Sequence, residues 1–308
     1  MIKENLPLEL LNKHIAELGL AEPLHIESDN DLFRKTEAPA RSAVVFLPKS
    51  KALIDMTLAL VSGMVAENGT IVLAGSNDAG IRSAKAAYEK NIGPVERKIV
   101  GNHSALYIGS NKRLGAVGGR KTWRDFLSFS PLIYKDTALE AANLPGVFSA
   151  GELDEGTKLL LDHIPYDKRS VLDVGCGAGV IGAIYKKKNP AADVTMTDSS
   201  MLAIEAAKET LKKNGIEANV TISNVFSNVE GAFDLVLCNP PFHSGVQTDY
   251  SFIERFAAGA KQRLKPDGEV YVVANSFLSY KDTLEKHIGP TEIVADDKKF
   301  KVFRSKAR

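Results

Sequence analysis

The chain has 308 residues, with 39 Lys and Arg against 38 Asp and Glu and a net charge of +1. That balance excludes nucleic-acid binding by bulk charge and leaves only a local basic patch for the purpose. Hydrophobic residues at 44% and charged residues at 25% exclude a disordered or fibrous chain and fit one large or two ordinary globular domains.

The first predicted element is a helix over residues 5–19, amphipathic and mixed in charge, unlike a signal or transit peptide. SAVVFLP (42–48) and TIVLAG (70–75) read as buried strands on either side of the helical stretch ALIDMTLALVSGMVA. A further helix, AGIRSAKAAYEKN, precedes strand-like runs around Ile99 and Tyr107. Residues 110–124 combine glycines, small loop residues and positive charge, and read as a linker. From about Leu144 strands and helices alternate: VLDVG, a helix from Gly179, VTMTD, a helix from Ser200, VTISN, DLVLCN, a helix near Phe252 to Arg263, then EVYVVAN. Such alternation predicts a parallel sheet with helices on both faces. No apolar run reaches the roughly 18 residues needed to cross a bilayer. The two cysteines, Cys176 and Cys238, belong to no CxxC pair or His/Cys cluster. The expectation is a cytoplasmic protein with no membrane partner and no metal.

The two halves share an order of elements. NPPF is followed by a helix, the turn and strand PDGEVYVVAN, another helix and HIGP; FLPK is followed by a helix, ENGTIVLAG, another helix and NIGP. This predicts an α/β fold of two doubly wound, Rossmann-like domains produced by duplication. Residues 1–124 form a degenerate and shortened copy with a basic linker, and residues 125–308 the working one. The stretch before Pro48 has no room for the glycine-loop unit that precedes Pro241, and no glycine motif occurs there.

VLDVGCGAGVIG (171–182) is a buried strand running into a glycine-rich turn and a helix. Glycines allow positive φ and let a ligand lie against bare backbone, while the helix N-terminus adds donors. The same residues satisfy the dinucleotide fingerprint GxGxxG, with Asp198 where a ribose-binding acid would sit, so NAD and S-adenosylmethionine both remain open, as does a tight turn with no ligand. Two details favour S-adenosylmethionine: Asp173 stands inside the strand end, where it faces an amino-acid moiety or holds the loop, and NPPF follows. Gly175, Gly177 and Gly179 are the candidate loop contacts. Asp198 is expected either to accept both ribose hydroxyls or to cap the next helix. Asn224 is expected at the adenine edge, with a polar turn residue as the alternative. Both cysteines read as small buried fillers.

FDLVLCNPPFHSG (233–245) ends a strand on an amide, two prolines and an aromatic. An exocyclic purine amine is a poor nucleophile because its lone pair is delocalised into the ring. Acceptors for both amine protons would favour a pyramidal nitrogen, and Asn239 with the Pro240 carbonyl offers them. Prolines stiffen that loop. Phe242 is placed to stack on the base. Asn239 is also expected to border the cofactor.

VLDVGCGAG, the acid after the next strand, SNVF, and NPPFHSG with the downstream ANSFL together resemble the 16S ribosomal RNA guanine-N2 methyltransferases. The resemblance runs from about Leu144 to Phe303 and includes LPGVFSAGELDEGTKLLL, which in that family precedes the glycine loop and helps cover the cofactor. It implies S-adenosyl-L-methionine as cofactor, methyl transfer to a guanosine N2 of 16S rRNA in the assembled small subunit, no DNA partner, and a degenerate N-terminal methyltransferase-like domain. NPPF alone also suits adenine-N6, 23S rRNA guanine-N2 and protein glutamine-N5 enzymes; His243 favours the guanine family, either touching the base or stabilising the loop. Seven Lys or Arg and no acid lie between Arg97 and Arg124, and six between Lys298 and Arg308. The two runs are expected to form a focused RNA surface. A different-class alternative is a non-catalytic RNA-binding assembly factor.

Overall fold

The computed structural model describes residues 7, 10, 11, 14, 18, 20, 22–33, 38–112, 120–148, 153–240 and 246–307, with the side chains of 246–249 excepted. It divides into two compact units, Met1–Leu127 and Ser128–Arg308. The expected helix over 5–19 falls mostly outside the described residues. Among the described residues no helix is long and apolar enough to cross a membrane.

The second unit holds a seven-stranded sheet. Its strands are β8 (Ser170–Val174), β9 (Asp193–Asp198), β10 (Asn219–Ile222), β11 (Phe233–Cys238), β12 (Leu264–Asn275), β13 (Thr291–Asp296) and β14 (Phe300–Lys306), in the order β10-β9-β8-β11-β12-β14-β13. The first five are parallel; β14 runs antiparallel to both its neighbours. The expected wholly parallel sheet is thus corrected at its far edge. A short turn, Asp297–Lys299, joins β13 to β14, and so tight a return only allows antiparallel pairing. Leu172, Val174, Val236, Cys238, Val270 and Val272 pack with Phe256 and Tyr280 in one core cluster.

A hairpin, β6 (Ser128–Tyr134) and β7 (Thr137–Asn143), precedes this sheet and was not expected from the sequence, which read no element between the linker and Leu144. Pro131 inside β6 masks the strand pattern, because proline cannot donate to a ladder. The hairpin is fixed to the helix Met201–Lys213: the Ala142 N–H donates to Thr210 Oγ1, and Asn214 bonds both the N–H and the carbonyl of Glu140. The unit boundary accordingly falls after Leu127, whereas the sequence placed it after Arg124. Within the expected linker, a 3-10 turn at Trp123–Phe126 is held by reciprocal Thr122 and Asp125 bonds; residues 113–119 lie outside the described residues.

Among its described residues the first unit has five strands: β1 (Leu24–Ile26), β2 (Ala40–Phe46), β3 (Val65–Ser76), β4 (Arg97–Gly101) and β5 (Ser104–Ser110), ordered β1-β2-β3-β5-β4. The β1–β2 and β2–β3 pairs are parallel, and β5 is antiparallel to β3 and β4. That is the order and polarity of β8-β11-β12-β14-β13, so the duplication read from sequence is present in the topology. Even the turn device repeats. Asn68 and Asp267, each before a glycine, take φ of 60° and 62°. Both are residue types that tolerate the left-handed region.

Helix α1 (Lys51–Met64) begins at Ser50, whose side chain accepts from Leu53 N–H, and α2 (Lys85–Asn91) follows a 3-10 turn. In the second unit the helices are α3 (Glu155–His163), α4 (Val180–Lys188), α5 (Met201–Lys213), α6 (Val246–Gln262) and α7 (Lys281–His287). Between β1 and β2 the described residues hold only a 3-10 turn, Asp29–Phe33, where the second unit places α4, β9, α5 and β10. Register sets His25 in the place of Asp173 and Phe46 in the place of Asn239. The first copy therefore carries neither the acid nor the amide.

Candidate active site

The C-terminal ends of β8, β9 and β11 converge, as ligand sites do in open α/β sheets. Asp173, next to last in β8, is fully buried. Its Oδ2 accepts the Gly182 N–H at 3.0 Å, tying the strand to the first turn of α4. Its Oδ1 is buried without a partner. Burial, outweighing the Gly182 bond and assisted by the Asp198 charge, pushes the Asp173 carboxyl up to about 7.

Gly175, Gly177 and Gly179 all take positive φ, at 75°, 54° and 79°. Their surroundings separate their roles. A Cβ on Gly175 would meet nothing within 4 Å, one on Gly177 would lie 3.1 Å from the Phe148 carbonyl oxygen, and one on Gly179 would press on Ala207 at 3.0 Å. Gly179 thus lets helix and strand layers approach, while Gly175 faces open space.

The loop does not offer the array of bare N–H donors expected of it. The N–H groups of Gly175 and Cys176 both donate to the Thr197 carbonyl, that of Gly179 donates to the Cys176 carbonyl, and that of Gly177 donates to Asp198 Oδ2 at 3.0 Å. A pyrophosphate needs those donors and would also lie beside two carboxyl groups. The dinucleotide alternative does not fit this loop.

Asp198 ends β9, and its Oδ1 accepts the Ser200 N–H at 2.9 Å. Ser200 itself caps α5 by accepting from Ala203 N–H, so Asp198 braces the glycine loop and is not the helix cap. Asn224 follows β10 with its side chain exposed; its backbone N–H donates to Ser227 Oγ. Cys176 and Cys238 are buried and free, and burial raises both thiols well above the ordinary range, as suits fillers.

Asn239, one residue past β11, is 7% exposed. Its Nδ2 donates to Thr157 Oγ1 at 2.8 Å and reaches Asp154 Oδ1 at 3.5 Å, leaving Oδ1 buried without a partner. Asp154 caps α3 by accepting the Thr157 N–H, and its Oδ2 is also buried and unpartnered. These two holders were missed by residue-level reading; the quoted LDEGTKLLL stretch contains them, but nothing local in it points to Asn239. Pro240 is buried behind the amide. Phe242 and His243 lie outside the described residues. Phe148, immediately before another stretch outside them, touches the glycine loop through its carbonyl.

Three of the four buried, unpartnered side-chain oxygens or nitrogens among the described residues are therefore Asp154 Oδ2, Asp173 Oδ1 and Asn239 Oδ1; the fourth, Asn143 Oδ1, ends β7. A buried acceptor left unbonded costs about 1–3 kcal/mol, so oxygens placed in this way can receive N–H or O–H donors from a ligand. A cavity of about 620 Å³, lined by Lys186, Asp193, Lys212 and Asn219 among others, opens at the N-terminal ends of β9 and β10, the opposite end from the loop.

Of the two basic runs, that at Lys298–Arg308 is largely neutralised. Lys299 pairs with Glu155, Lys301 with Asp296, Arg304 with Glu269 and Glu292, and Lys306 with Asp267. It is mainly a strand stitched into the sheet, which corrects the expectation of a free cationic surface there. In the first run Lys98 lies over Tyr107, Lys121 over Phe126 and Arg124 over Trp123.

Residues 138–304 match the methyltransferase small domain and residues 19–124 its N-terminal domain. The ribosomal RNA small subunit methyltransferase C of Aeromonas hydrophila is 39% identical over 274 residues, covering 87% of this chain and 78% of the relative. That of Actinobacillus succinogenes is 38% identical over 261 residues, covering 84% and 77%. Among solved structures, the T. thermophilus 16S rRNA N2 G1207 methyltransferase in complex with AdoMet and guanosine superposes with a TM-score of 0.75 at 21% identity, covering 89% of this chain and 74% of that one. Two domain matches in series, a shared two-unit fold and relatives aligned along most of their length agree with the duplicated sheets and the glycine loop: the chain belongs to the ribosomal RNA small subunit methyltransferase C family.

Proposed function

We propose that the chain transfers the methyl group of S-adenosyl-L-methionine to the exocyclic N2 of a guanosine in 16S rRNA. The observation that carries this reading is the set of acceptor oxygens without donors at Asp173, Asp154 and Asn239. The cofactor's ammonium and a guanine amine are both rich in N–H, and they suit such a site as a phosphate does not.

Residues would divide the work as follows. Asp173 and the open space at Gly175 receive the amino-acid end of the cofactor, Asp198 its ribose, and Asn224 the adenine edge. Bound S-adenosylmethionine supplies a methyl group on a sulfonium centre, so no strong general base is required. Asn239 Oδ1 and the Pro240 carbonyl accept the two amine protons and aim the nitrogen lone pair. Thr157 fixes which end of the carboxamide points inward, because its hydroxyl oxygen is occupied by Nδ2. Phe242 stacks on the base.

The finer reading is that the assembled small subunit presents the guanosine. The N-terminal unit holds no second cofactor and offers the Arg97–Arg124 run to RNA. The supporting facts are the absent glycine-loop elements among its described residues and the ring-backed cations of that run.

The test is single-turnover methylation of small subunits by Asn239→Ala, with nucleosides mapped by mass. Methyl transfer should fall by at least 100-fold while cofactor affinity stays within a few-fold. A variant that keeps most of its rate refutes amine orientation by Asn239, and a product other than N2-methylguanosine refutes the substrate.

A further inference from the structure

The turn after β12 presents Phe277 to solvent at 71% exposure. Leu278 and Tyr280 are buried in the core cluster, so the apolar anchoring of this turn is already supplied. Ser276 N–H donates to the Lys299 carbonyl at 2.9 Å, Lys301 Nζ to the Ser276 carbonyl at 2.9 Å, Leu278 N–H to the Asn275 carbonyl at 2.9 Å, and Ser279 N–H to Tyr250 Oη at 3.1 Å. A rigid turn is thus holding out a phenyl ring that contributes little to packing.

The duplicated unit supplies an internal control. Register places Asn77 where Ser276 stands, and Asn77 N–H makes the equivalent bond to the His103 carbonyl. The next residue there is Asp78, so the bond between the two turns forms without an aromatic. The ring belongs to the working copy and is not required by the turn.

Position argues for the ligand side. Phe277 follows the C-terminal end of β12, the strand beside β11, whose end carries Asn239. It lies five residues beyond Val272, the partner of Cys238, and so stands further out than the amide and one strand to the side. The turn bonded to it, between β13 and β14, carries Lys298, exposed, in left-handed conformation and making no ion pair among the described residues; its neighbour Lys299 is paired with Glu155. Asp296, paired with Lys301, precedes this turn, and Asp297 within it accepts the Lys299 and Phe300 N–H groups. An apolar ring and a cation on two turns bonded to each other can receive a base and its phosphate.

We propose that Phe277 is a stacking platform for a base flanking the target nucleotide, with Lys298 meeting the adjoining phosphate. This rests on the RNA reading above. Stacking holds the strand in place once the target has left its own stack, which lowers the cost of extruding it.

The test measures cofactor affinity, thermal melting, RNA binding and methylation of small ribosomal subunits for Phe277→Ala, Phe277→Leu, Phe277→Trp and Lys298→Ala. Phe277→Ala and Phe277→Leu should weaken RNA binding about 5- to 100-fold, and Phe277→Trp should retain it. Lys298→Ala should lower the salt slope by about one phosphate contact. Cofactor affinity and melting should not move. If Phe277→Ala binds and methylates RNA as the parent does, the platform is wrong; if Phe277→Leu equals the parent, the ring packs on apolar surface and does not stack. A parent chain that binds no RNA but methylates another substrate overturns the RNA reading itself, an outcome separate from both.

Discussion

Thr157 Oγ1 accepts a hydrogen bond from Asn239 Nδ2 at 2.8 Å, across 82 residues of sequence. The first turn of α3 therefore sets the rotation of the amide at the end of β11. Thr157→Val keeps the shape and removes the acceptor. We expect methyl transfer to fall about 10- to 100-fold with cofactor affinity little changed, and Thr157→Ser to restore most of the rate. Stability should drop by about 1–3 kcal/mol, since a buried amide loses its partner. Single-turnover rates beside urea melts check this; equal loss in Val and Ser variants would assign Thr157 to packing alone.

Asp173 titrates near 7 because burial disfavours its charge. Its folded pKa lies above the unfolded value of 3.8, so its contribution to stability is full below about 4 and is lost as pH rises towards 7. Subtracting the pH–stability curve of Asp173→Asn from that of the parent should isolate this loss over that window. The cofactor's ammonium favours the ionised form. Cofactor binding should therefore release a proton at pH 6 and tighten as pH approaches 7, as calorimetry in buffers of different ionisation enthalpy would detect. No proton release at pH 6 would place the ammonium elsewhere.

Gly175 and Gly179 should respond differently to alanine. Both pay for positive φ, about 1–2 kcal/mol each. Gly179→Ala also presses a methyl group against Ala207, so its melting temperature should fall further. Gly175→Ala places its methyl group in open space and should lose cofactor affinity out of proportion to its stability. Reversal of that pattern would mean that the ligand lies against Gly179.

One S-adenosylmethionine should bind per chain. His25 and Phe46 replace the acid and the amide in the first unit, and no glycine-loop unit is found among its described residues. A titration giving two sites would refute a spent first copy.

The glycine loop, the acids at the ends of β8 and β9, and the strand running up to Asn239 were legible because each is a local pattern. The partners of Asn239 were not, because helix α3 reaches the end of β11 only in the folded chain. The same limit hid the neutralisation of Arg304 and Lys306, whose partners Glu269 and Asp267 both lie on β12, more than thirty residues earlier in the chain. The hairpin was obscured by Pro131. Duplication was legible because both copies kept their turn residues, Asn68-Gly69 and Asp267-Gly268.

The five-stranded sheet of the first unit closes its core with the order of β8-β11-β12-β14-β13 and nothing resembling β9 or β10 among its described residues. In this architecture the five strands that pack are separable from the segment carrying β9, β10 and the proposed ribose and adenine contacts. That segment lies between two strands, β8 and β11, that pair directly with each other. Such a segment can be gained or lost without rethreading the rest, and changes there are free to alter ligand choice while the remaining sheet keeps its register.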